Sequence, residues 1–264
     1  MVEYYNPLVQ KCVREFAGLA FSSYFKICIE GKENIPEKGP AIFSFNHINR
    51  FDPFIIASQV KSMNYAMAKK ELFFPAARDL MRMIGSYPVD TKPKSTKQRE
   101  LSRNYSLLIP KRKHAELLQD INRLLGEELK DLSGLDHKLF TEYLLSKGGR
   151  VIMHLPGTRE ASYEKSTHPK KGAAWKALDM LDKHNLVVPI IPGGIVYSHN
   201  KKPITTQHYF MLFKTRVDIG FGSPVTAEEH LLEYRQNPGR AALELTKIIN
   251  EEVNKKVKEI IKNL

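Results

Sequence analysis

The sequence predicts an α/β fold: a single domain in which helices flank a central mixed, mostly parallel sheet, with an N-terminal amphipathic helix and a helical insert. The main observation is that short apolar strands alternate with helical segments along the chain. The length of 264 residues suits one large domain with an insert. A composition of 42% hydrophobic and 27% charged residues is typical of a globular protein and excludes a disordered chain.

The first predicted element is one helix from about Asn6 to Ile29, with a broad apolar face. It either packs on the domain or lies in the headgroup region of a membrane. We therefore divide the chain into an N-terminal amphipathic helix at 1–30, where membrane contact is expected, and a main domain at 31–264. Three basic residues could lie beside the apolar face: Lys11, Arg14 and Lys26.

The next segment predicts a strand, a polar loop and a helix in that order. Ala41–Phe45 is a short apolar strand, and residues 46–51 form a polar turn. Asp52 followed by Pro53 is typical of a helix start, with Asp as the N-cap and Pro at the first helical position.

The remaining elements follow the same alternation. Residues 91–147 differ, because they are rich in Lys, Arg, Leu and Glu, and they predict a basic helical insert of two or three helices that breaks near 133–134. Further strands are expected at 64–68, 86–89, 150–153 and 187–197, with a strand pair at 209–213 and 217–221. Helices are expected at 71–84, at 172–184 and at 227–264, the last with a break at 237–239.

The formal net charge of +12 indicates an acidic partner, which could be nucleic acid, an anionic membrane surface or a polyanionic small molecule. Two cysteines, Cys12 and Cys28, make neither a disulfide framework nor a metal site, so a reducing cytoplasmic setting is expected. The sequence contains no run of about 18 or more apolar residues, so it predicts no transmembrane helix. The N-terminus also lacks the features of a signal peptide.

The strongest chemical pattern is His47 and Asp52, five positions apart across the turn between strand and helix. An aspartate that accepts one imidazole N–H leaves the other ring nitrogen free as a base. Attack of a hydroxyl on a thioester requires such a base. The alternative interpretation is that Asp52 only caps the helix and His47 is only a loop residue.

Two weaker patterns point to an anion. In the segment 155–159, Gly157 exposes backbone N–H groups after a strand and Arg159 could hold a phosphate. Lys69 or Lys70, at the end of another strand, could also face a phosphate. The alternatives are a plain turn and solvated basic side chains.

Taken in order from about 31 to 225, these segments resemble the glycerolipid acyltransferase family that includes the bacterial 1-acylglycerol-3-phosphate acyltransferases. The first block, ENIPEKGPAIFSFNHINRFDPF, carries the His-four residues-Asp motif, and MAKKELFFPAARDLMRMIGSYPVD is similar to the second block. LPGTRE stands where the family has Phe-Pro-Glu-Gly-Thr-Arg. KKGAAWKAL, VVPIIPGGI and FGSPV match the helix and strands that follow.

The resemblance implies a role for each matching residue. His47 would deprotonate the acceptor hydroxyl and Asp52 would hold its ring, so that the hydroxyl attacks the acyl thioester without an acyl-enzyme. The substrate-binding residues would be Lys69, Gly157, Thr158 and Arg159, with further phosphate or lipid contacts from Asn49, Arg50 and Lys70.

The resemblance also implies the partners. The donor would be acyl-CoA or acyl carrier protein, and the acceptor a lysophospholipid such as 1-acylglycerol 3-phosphate, or a glycerol phosphate, in phospholipid synthesis. Neither a metal nor a prosthetic cofactor is implied. The protein would be peripheral (monotopic) on the cytoplasmic face of an anionic membrane surface, and it would bind no nucleic acid.

This chain departs from the family pattern at several positions. Pro156 replaces the family's Glu, Asn49 replaces a Ser, and Asp90 is followed by Thr91 where the family commonly has Arg. The insert at 91–147 is also long, and its basic residues predict either a lid on anionic headgroups or a solvated helical segment. The reaction type is therefore better defined than the acceptor.

Three other functions are alternatives to acyl transfer. A nucleic-acid binder would explain the charge, but the sequence has no recognisable motif for it. A catalytically altered relative that acylates another acceptor, or only binds lipid, is suggested by Pro156. A metal hydrolase would need His154 as a third ligand beside His47 and Asp52.

Overall fold

The computed structural model describes most of the chain. The described residues form one sheet with helices on both faces. The described residues are 7–60, 64–69, 81, 85–89, 113–126, 129–132, 135–157, 159–160, 162–163, 169–205 and 215–264. The strands are β1 (Lys26–Glu30), β2 (Ala41–Phe45), β3 (Asn64–Lys69), β4 (Ser86–Val89), β5 (Arg150–His154), β6 (Ile190–His199), β7 (Lys202–Pro203) and β8 (Arg216–Phe221). The helices are α1 (Pro7–Tyr24), α2 (Asp52–Gln59), α3 (His114–Leu125), α4 (His137–Ser146), α5 (Gly172–His184), α6 (Leu231–Gln236) and α7 (Pro238–Lys262).

The strand order is β1-β8-β6-β2-β5-β3-β4, with β7 paired to β6. Strand β2 lies between β5 and β6 and is parallel to both. Pairs β1–β8, β3–β4 and β3–β5 are also parallel, whereas β6 runs antiparallel to β7 and β8. The sheet is therefore mixed and mostly parallel, and the predicted fold class is confirmed.

The core has two layers because neighbouring residues of a strand point to opposite faces of the sheet. In β2, Ile42 joins the larger cluster with residues of α3, α4, α5 and α7, while Phe43 and Phe45 join a second cluster with residues of α2 and β8. All five residues of β2 are buried. A strand buried on both faces needs an apolar run, and the sequence AIFSF supplies one.

The prediction of a single helix from about Asn6 to Ile29, and hence of a helical segment as far as residue 30, is wrong at its C-terminal end. Helix α1 ends at Tyr24, and Lys26–Glu30 is strand β1 at the edge of the sheet. The segment KICIE carries two β-branched residues that favour a strand, and β8 offers a parallel partner from Arg216 to Gly220. Cys12 and Cys28 therefore lie on different elements, and both are free.

Some apolar side chains of helix α1 pack against the domain, and others are exposed to solvent. Phe21 packs against the second cluster, with its ring centroid 6.2 Å from that of Phe25 and 6.0 Å from that of Phe51. Leu8, Phe16 and Leu19 are 71%, 74% and 71% exposed. Of the helices that the structure describes, none combines the length and apolar character needed to cross a bilayer.

Part of the predicted insert and several predicted elements lie outside the described residues. These are 91–112, the break at 133–134, the helix at 71–84 apart from Met81, and the strand at 209–213. The described part of the insert contains α3 and α4, and the Thr141 hydroxyl of α4 lies 2.8 Å from the Tyr87 hydroxyl of β4. The predicted break at 237–239 is confirmed, because Asn237 separates α6 from α7 and its Oδ1 accepts the N–H of Arg240.

Candidate active site

Two loops follow neighbouring parallel strands at the same edge of the sheet. Phe45 of β2 is paired with His154 of β5, so the loop at 46–51 (the His47 loop) and the loop at 155–160 (the Arg159 loop) begin side by side. The carboxyl ends of strands in an open α/β sheet are where ligands bind. The fold therefore brings the His47–Asp52 pattern and the Gly157–Arg159 pattern next to each other.

The His47 loop is tied to β6 at its first residue. The Asn46 side chain donates from Nδ2 to the Ile195 carbonyl at 3.0 Å, and its Oδ1 accepts the Ile195 N–H at 2.8 Å. This pair copies the hydrogen bonds that a strand neighbour would make. The amide therefore continues the β2–β6 pairing beyond the end of β2 and holds the start of the loop.

Asp52 lies at the centre of the site and is fully buried. Its Oδ2 accepts from the N–H groups of Ile48 at 2.7 Å and Asn49 at 2.8 Å, and lies 2.9 Å from Nδ1 of His47. Its Oδ1 accepts the Tyr197 hydroxyl at 2.5 Å. Four donors offset the cost of burying the carboxylate, so Asp52 organises the whole loop.

The prediction that Asp52 is the N-cap of α2 is wrong. Phe51 is the cap residue, and its carbonyl accepts the N–H groups of Phe54 at 3.0 Å and Ile55 at 2.9 Å. The Asp52 carboxylate turns back to the preceding loop because two backbone N–H groups and His47 meet it there. The interpretation of Asp52 as only a cap is therefore excluded.

His47 has the geometry of an oriented base. Its Nδ1 faces Asp52, so the proton on Nδ1 is donated to the carboxylate and the Nε2 lone pair is left free. The His47 side chain is 17% exposed, while that of Asp52 is inaccessible. A substrate can therefore approach His47 but not its aspartate.

His154 packs face to face on His47, with ring centroids 4.0 Å apart and ring planes inclined by 15°. Its Nδ1 lies 2.9 Å from the Asn46 carbonyl oxygen, which can only accept a hydrogen bond, so Nδ1 carries the proton. Burial, followed by the neighbouring charge of His47, lowers the pKa of His154 from 6.5 to about 3. His154 is therefore a neutral ring that supports the base.

The geometry does not favour a metal site at His47, Asp52 and His154. The two imidazoles are stacked, Nδ1 of His154 is bound to a carbonyl, and the carboxylate already accepts four hydrogen bonds. In the described ranges, the group with metal-like spacing is His230, Glu233 and Glu244, elsewhere in the fold. Arg240 already pairs with both of its carboxylates, at 2.9 and 3.2 Å.

The Arg159 loop is fastened to the end of β2 at its first residue and to the His47 loop at its last. Leu155 donates its N–H to the Phe45 carbonyl at 2.9 Å, and Glu160 donates its N–H to the His47 carbonyl at 2.6 Å. Gly157 has φ +70°, in the left-handed region that favours glycine. The Arg159 side chain is exposed between these attachments, whereas Pro156 is buried.

The other predicted binding residues lie in different environments. Lys69 is the last residue of β3, but its side chain, Lys70 and Thr158 lie outside the described residues. Arg50 is exposed, with its guanidinium 5.1 Å from the centre of the Phe51 ring. Asn49, predicted as a phosphate or lipid contact, is instead buried, and its Oδ1 accepts the Phe51 N–H at 3.0 Å. Asn49 therefore shapes the loop from inside.

Two tyrosines at the site were not identified from the sequence. Tyr197 of β6 donates to Asp52, and the Tyr163 hydroxyl accepts the Tyr197 N–H at 2.8 Å and donates to the Ile204 carbonyl at 3.0 Å. Burial, and next the charge of Asp52, raises the pKa of Tyr197 well above 10. A hydroxyl in an otherwise apolar strand is the signal that could have marked Tyr197.

Comparisons with known proteins show the family and the fold. A family model described as Acyltransferase matches residues 26–196, which is more than half of the chain. The structure is similar to the crystal structure of the 1-acyl-sn-glycerophosphate (LPA) acyltransferase PlsC from Thermotoga maritima, with a TM-score of 0.58 and 20% identity over 95% of this chain and 79% of that chain. No curated protein matches the sequence significantly.

Proposed function

The chain belongs to the acyltransferase family, and from that premise we propose that it moves a fatty acyl group from a thioester donor to the hydroxyl of a (lyso)glycerophospholipid such as 1-acylglycerol 3-phosphate. The donor is acyl-CoA or acyl carrier protein. The observation that carries the proposal is the His47–Asp52 pair, which leaves one imidazole nitrogen free beside the loop that exposes Gly157 and Arg159.

The reaction needs one base and no covalent enzyme intermediate. Nε2 of His47 takes the proton of the acceptor hydroxyl while the oxygen attacks the thioester carbonyl carbon. The tetrahedral adduct then breaks its carbon–sulfur bond, which forms the ester. The protonated His47 returns its proton to the leaving thiolate, which departs as the free thiol.

The Arg159 loop supports a phosphorylated acceptor. A guanidinium can hold a phosphate through two parallel hydrogen bonds, whereas the N–H of Gly157 already donates to the His154 carbonyl at 3.0 Å. Because the N–H of Glu160 bonds to the carbonyl of His47, a phosphate on this loop would lie close to the base. PlsC from Thermotoga maritima is a 1-acyl-sn-glycerophosphate acyltransferase, and a phosphorylated glycerolipid of that kind is consistent with this acceptor class.

Helix α1 supports work at an anionic membrane surface, and we propose that this surface is the cytoplasmic face. Leu8, Phe16 and Leu19 are more than two thirds exposed. Apolar side chains of an amphipathic helix insert at the boundary of headgroups and acyl chains, and the net charge of +12 adds attraction to anionic lipid.

A second candidate follows from Pro156. A proline side chain offers no polar atom, so the interaction made by the family's Glu is missing from this loop. The chain could then be a relative that acylates a different acceptor or only binds lipid.

An assay of thiol release discriminates these candidates. Acyl-CoA is supplied with one acceptor at a time: 1-acylglycerol 3-phosphate, glycerol 3-phosphate, a lysophospholipid with a zwitterionic headgroup, or a neutral alcohol. We expect release with a phosphorylated acceptor, and His47→Ala should lower it at least about 10³-fold without changing the circular dichroism spectrum. Release only with another acceptor would favour the altered enzyme, and near-normal activity of His47→Ala would refute the mechanism.

The membrane part of the proposal has its own test. The double variant Phe16→Ser with Leu19→Ser should weaken sedimentation with anionic vesicles at least about tenfold, because two large apolar groups would no longer insert. Leu232→Ser is the matched control, since Leu232 is 75% exposed but lies on α6. Equal binding by the double variant and the control would exclude α1 as the membrane contact.

A further inference from the structure

The two oxygens of the Asp52 carboxylate are held from different parts of the chain. Oδ2 is held by the His47 loop itself, through His47, Ile48 and Asn49. Oδ1 is held by the Tyr197 hydroxyl, 145 positions away along the sequence. A carboxylate fastened at both oxygens cannot rotate about its bond to Cβ without breaking a hydrogen bond.

We propose that Tyr197 is a positioning residue for the transfer reaction, whose hydroxyl holds the Asp52 carboxylate in the orientation that keeps Nε2 of His47 free as the base. This inference rests on the proposed function only in taking His47 as that base. Tyr197 itself is fully buried and contacts the side of Asp52 away from His47, so it acts through Asp52 and not on a substrate.

Tyr197 is itself held firmly enough to play this part. It lies within β6, paired with Val217 of β8, and its ring centroid lies 6.4 Å from that of Phe25 in an edge-on contact. The Tyr163 hydroxyl accepts its N–H at 2.8 Å, and its carbonyl accepts the Ile204 N–H at 2.8 Å. The donor of the hydrogen bond to Oδ1 is therefore anchored in the sheet and not in the His47 loop.

Two buried tyrosines and His154 near the pair are neutral near neutral pH. Burial raises the pKa of Tyr197 and of Tyr163 above their usual range, and the pKa of His154 is lowered to about 3. Tyr197 therefore remains a hydrogen-bond donor and does not compete with His47 for protons. Its hydroxyl draws part of the carboxylate charge away from the imidazole.

Loss of this hydroxyl has a predictable chemical consequence. Without it, Oδ1 remains buried with no donor from Tyr197, and more of the negative charge acts on the imidazole. Protonated His47 would then be held more tightly, so a smaller fraction of the enzyme carries the free base at a given pH. The carboxylate would also be free to rotate, which degrades the orientation of the ring.

The first experiment compares Tyr197→Phe with Tyr234→Phe in the full chain. Tyr234 is the matched control because its hydroxyl also donates to a buried aspartate, Asp179 Oδ1 at 2.7 Å, but does so on α6. We expect Tyr197→Phe to lower kcat about tenfold with little change in either KM, and to move the acid limb of the pH–rate profile to higher pH. Tyr234→Phe should change none of these quantities.

An unchanged kcat and pH profile in Tyr197→Phe, or equal changes in both variants, would overturn the inference. A second measurement does not depend on turnover. With isotope-labelled histidine, the His47 ring signals of the resting protein should titrate at higher pH in Tyr197→Phe than in the unsubstituted protein. Identical titrations would refute the positioning role even if the protein proved to have another activity.

A more conservative substitution tests the same inference if Tyr197→Phe does not fold. A ring-fluorinated tyrosine at position 197 keeps the packing and makes the hydroxyl a stronger donor. We expect the His47 ring signals to titrate at lower pH in that protein, because more carboxylate charge is drawn to Tyr197. No movement would contradict the proposal, whereas a protein with no acyl transfer but a shifted titration would refute only the proposed function.

Discussion

The two loops at the edge of the sheet are neighbours but differ in how they are built. The His47 loop is held from within by the buried Asp52 carboxylate, which accepts four hydrogen bonds. It is also held by the Asn46 side-chain amide, which bonds to Ile195 of β6. The Arg159 loop is tied to β2 and to the His47 loop through the main-chain N–H groups of Leu155 and Glu160, and Gly157 and Arg159 are exposed. The difference suggests that the first loop is preorganised for chemistry and the second presents groups to a ligand.

The sharpest way to break this comparison is Asp52→Asn. The new amide would place an N–H group against donors that now meet a carboxylate, and it would no longer fix the tautomer of His47. We expect kcat to fall about 10³-fold or more, measured by thiol release. Asp136→Asn is the control, because Asp136 also accepts two backbone N–H groups, those of Lys138 and Leu139, at the start of α4. A small effect of Asp52→Asn would show that the buried network is not needed for chemistry.

Arg159→Ala tests the other loop. The KM for a phosphorylated acceptor should rise about tenfold with little change in kcat, because a charge-assisted hydrogen bond is lost from binding. The KM for a neutral acceptor should change much less. Arg235→Ala, which removes an exposed arginine paired with Asp182, controls for the loss of one positive charge. Equal effects on phosphorylated and neutral acceptors would argue against a phosphate site here.

Gly157→Ala should produce a smaller change in the same direction. An added Cβ would stand 3.0 Å from Cγ of Lys170, so this side chain must give by a few tenths of an ångström, and φ +70° is strained for alanine. We expect the acceptor KM to rise about threefold and the free energy of unfolding to fall by about 1 kcal/mol. Gly148→Ala has a similar φ of +76° but open space around it, so it should lose stability without a change in KM. If the acceptor KM changed in both variants, the change could not be attributed to the Arg159 loop.

The smallest effect on activity is expected for His154→Phe, at the junction of the two loops. The ring that stacks on His47 is kept, so kcat should fall less than about threefold. Stability should respond differently. His154 has a depressed pKa in the folded state, about 3 against 6.5, so its contribution to stability is present above pH 6.5 and is lost as pH falls toward 3.

Chemical denaturation measures that contribution. Between neutral pH and about pH 5, the unsubstituted protein should lose more unfolding free energy than His154→Phe, by on the order of 2 kcal/mol. A parallel loss in both proteins would show that His154 is not held neutral by burial. A large fall in kcat would instead mean that the bond from His154 Nδ1 to the Asn46 carbonyl is part of the chemistry.

The sequence by itself determined the features that depend on local pattern. The apolar run at Ala41–Phe45 predicted a short apolar strand, and the spacing of His47 and Asp52 predicted a hydrogen-bonded pair, because both depend on residues close together in the chain. The tertiary structure decided what depends on distant partners. The segment KICIE became a strand because β8 lies beside it, and Asp52 turned away from a capping role because the loop's N–H groups and Tyr197 meet it. Tyr197 and His154 reach the pair only because strands far apart in the sequence end at one edge of the sheet, and no local pattern encodes that meeting.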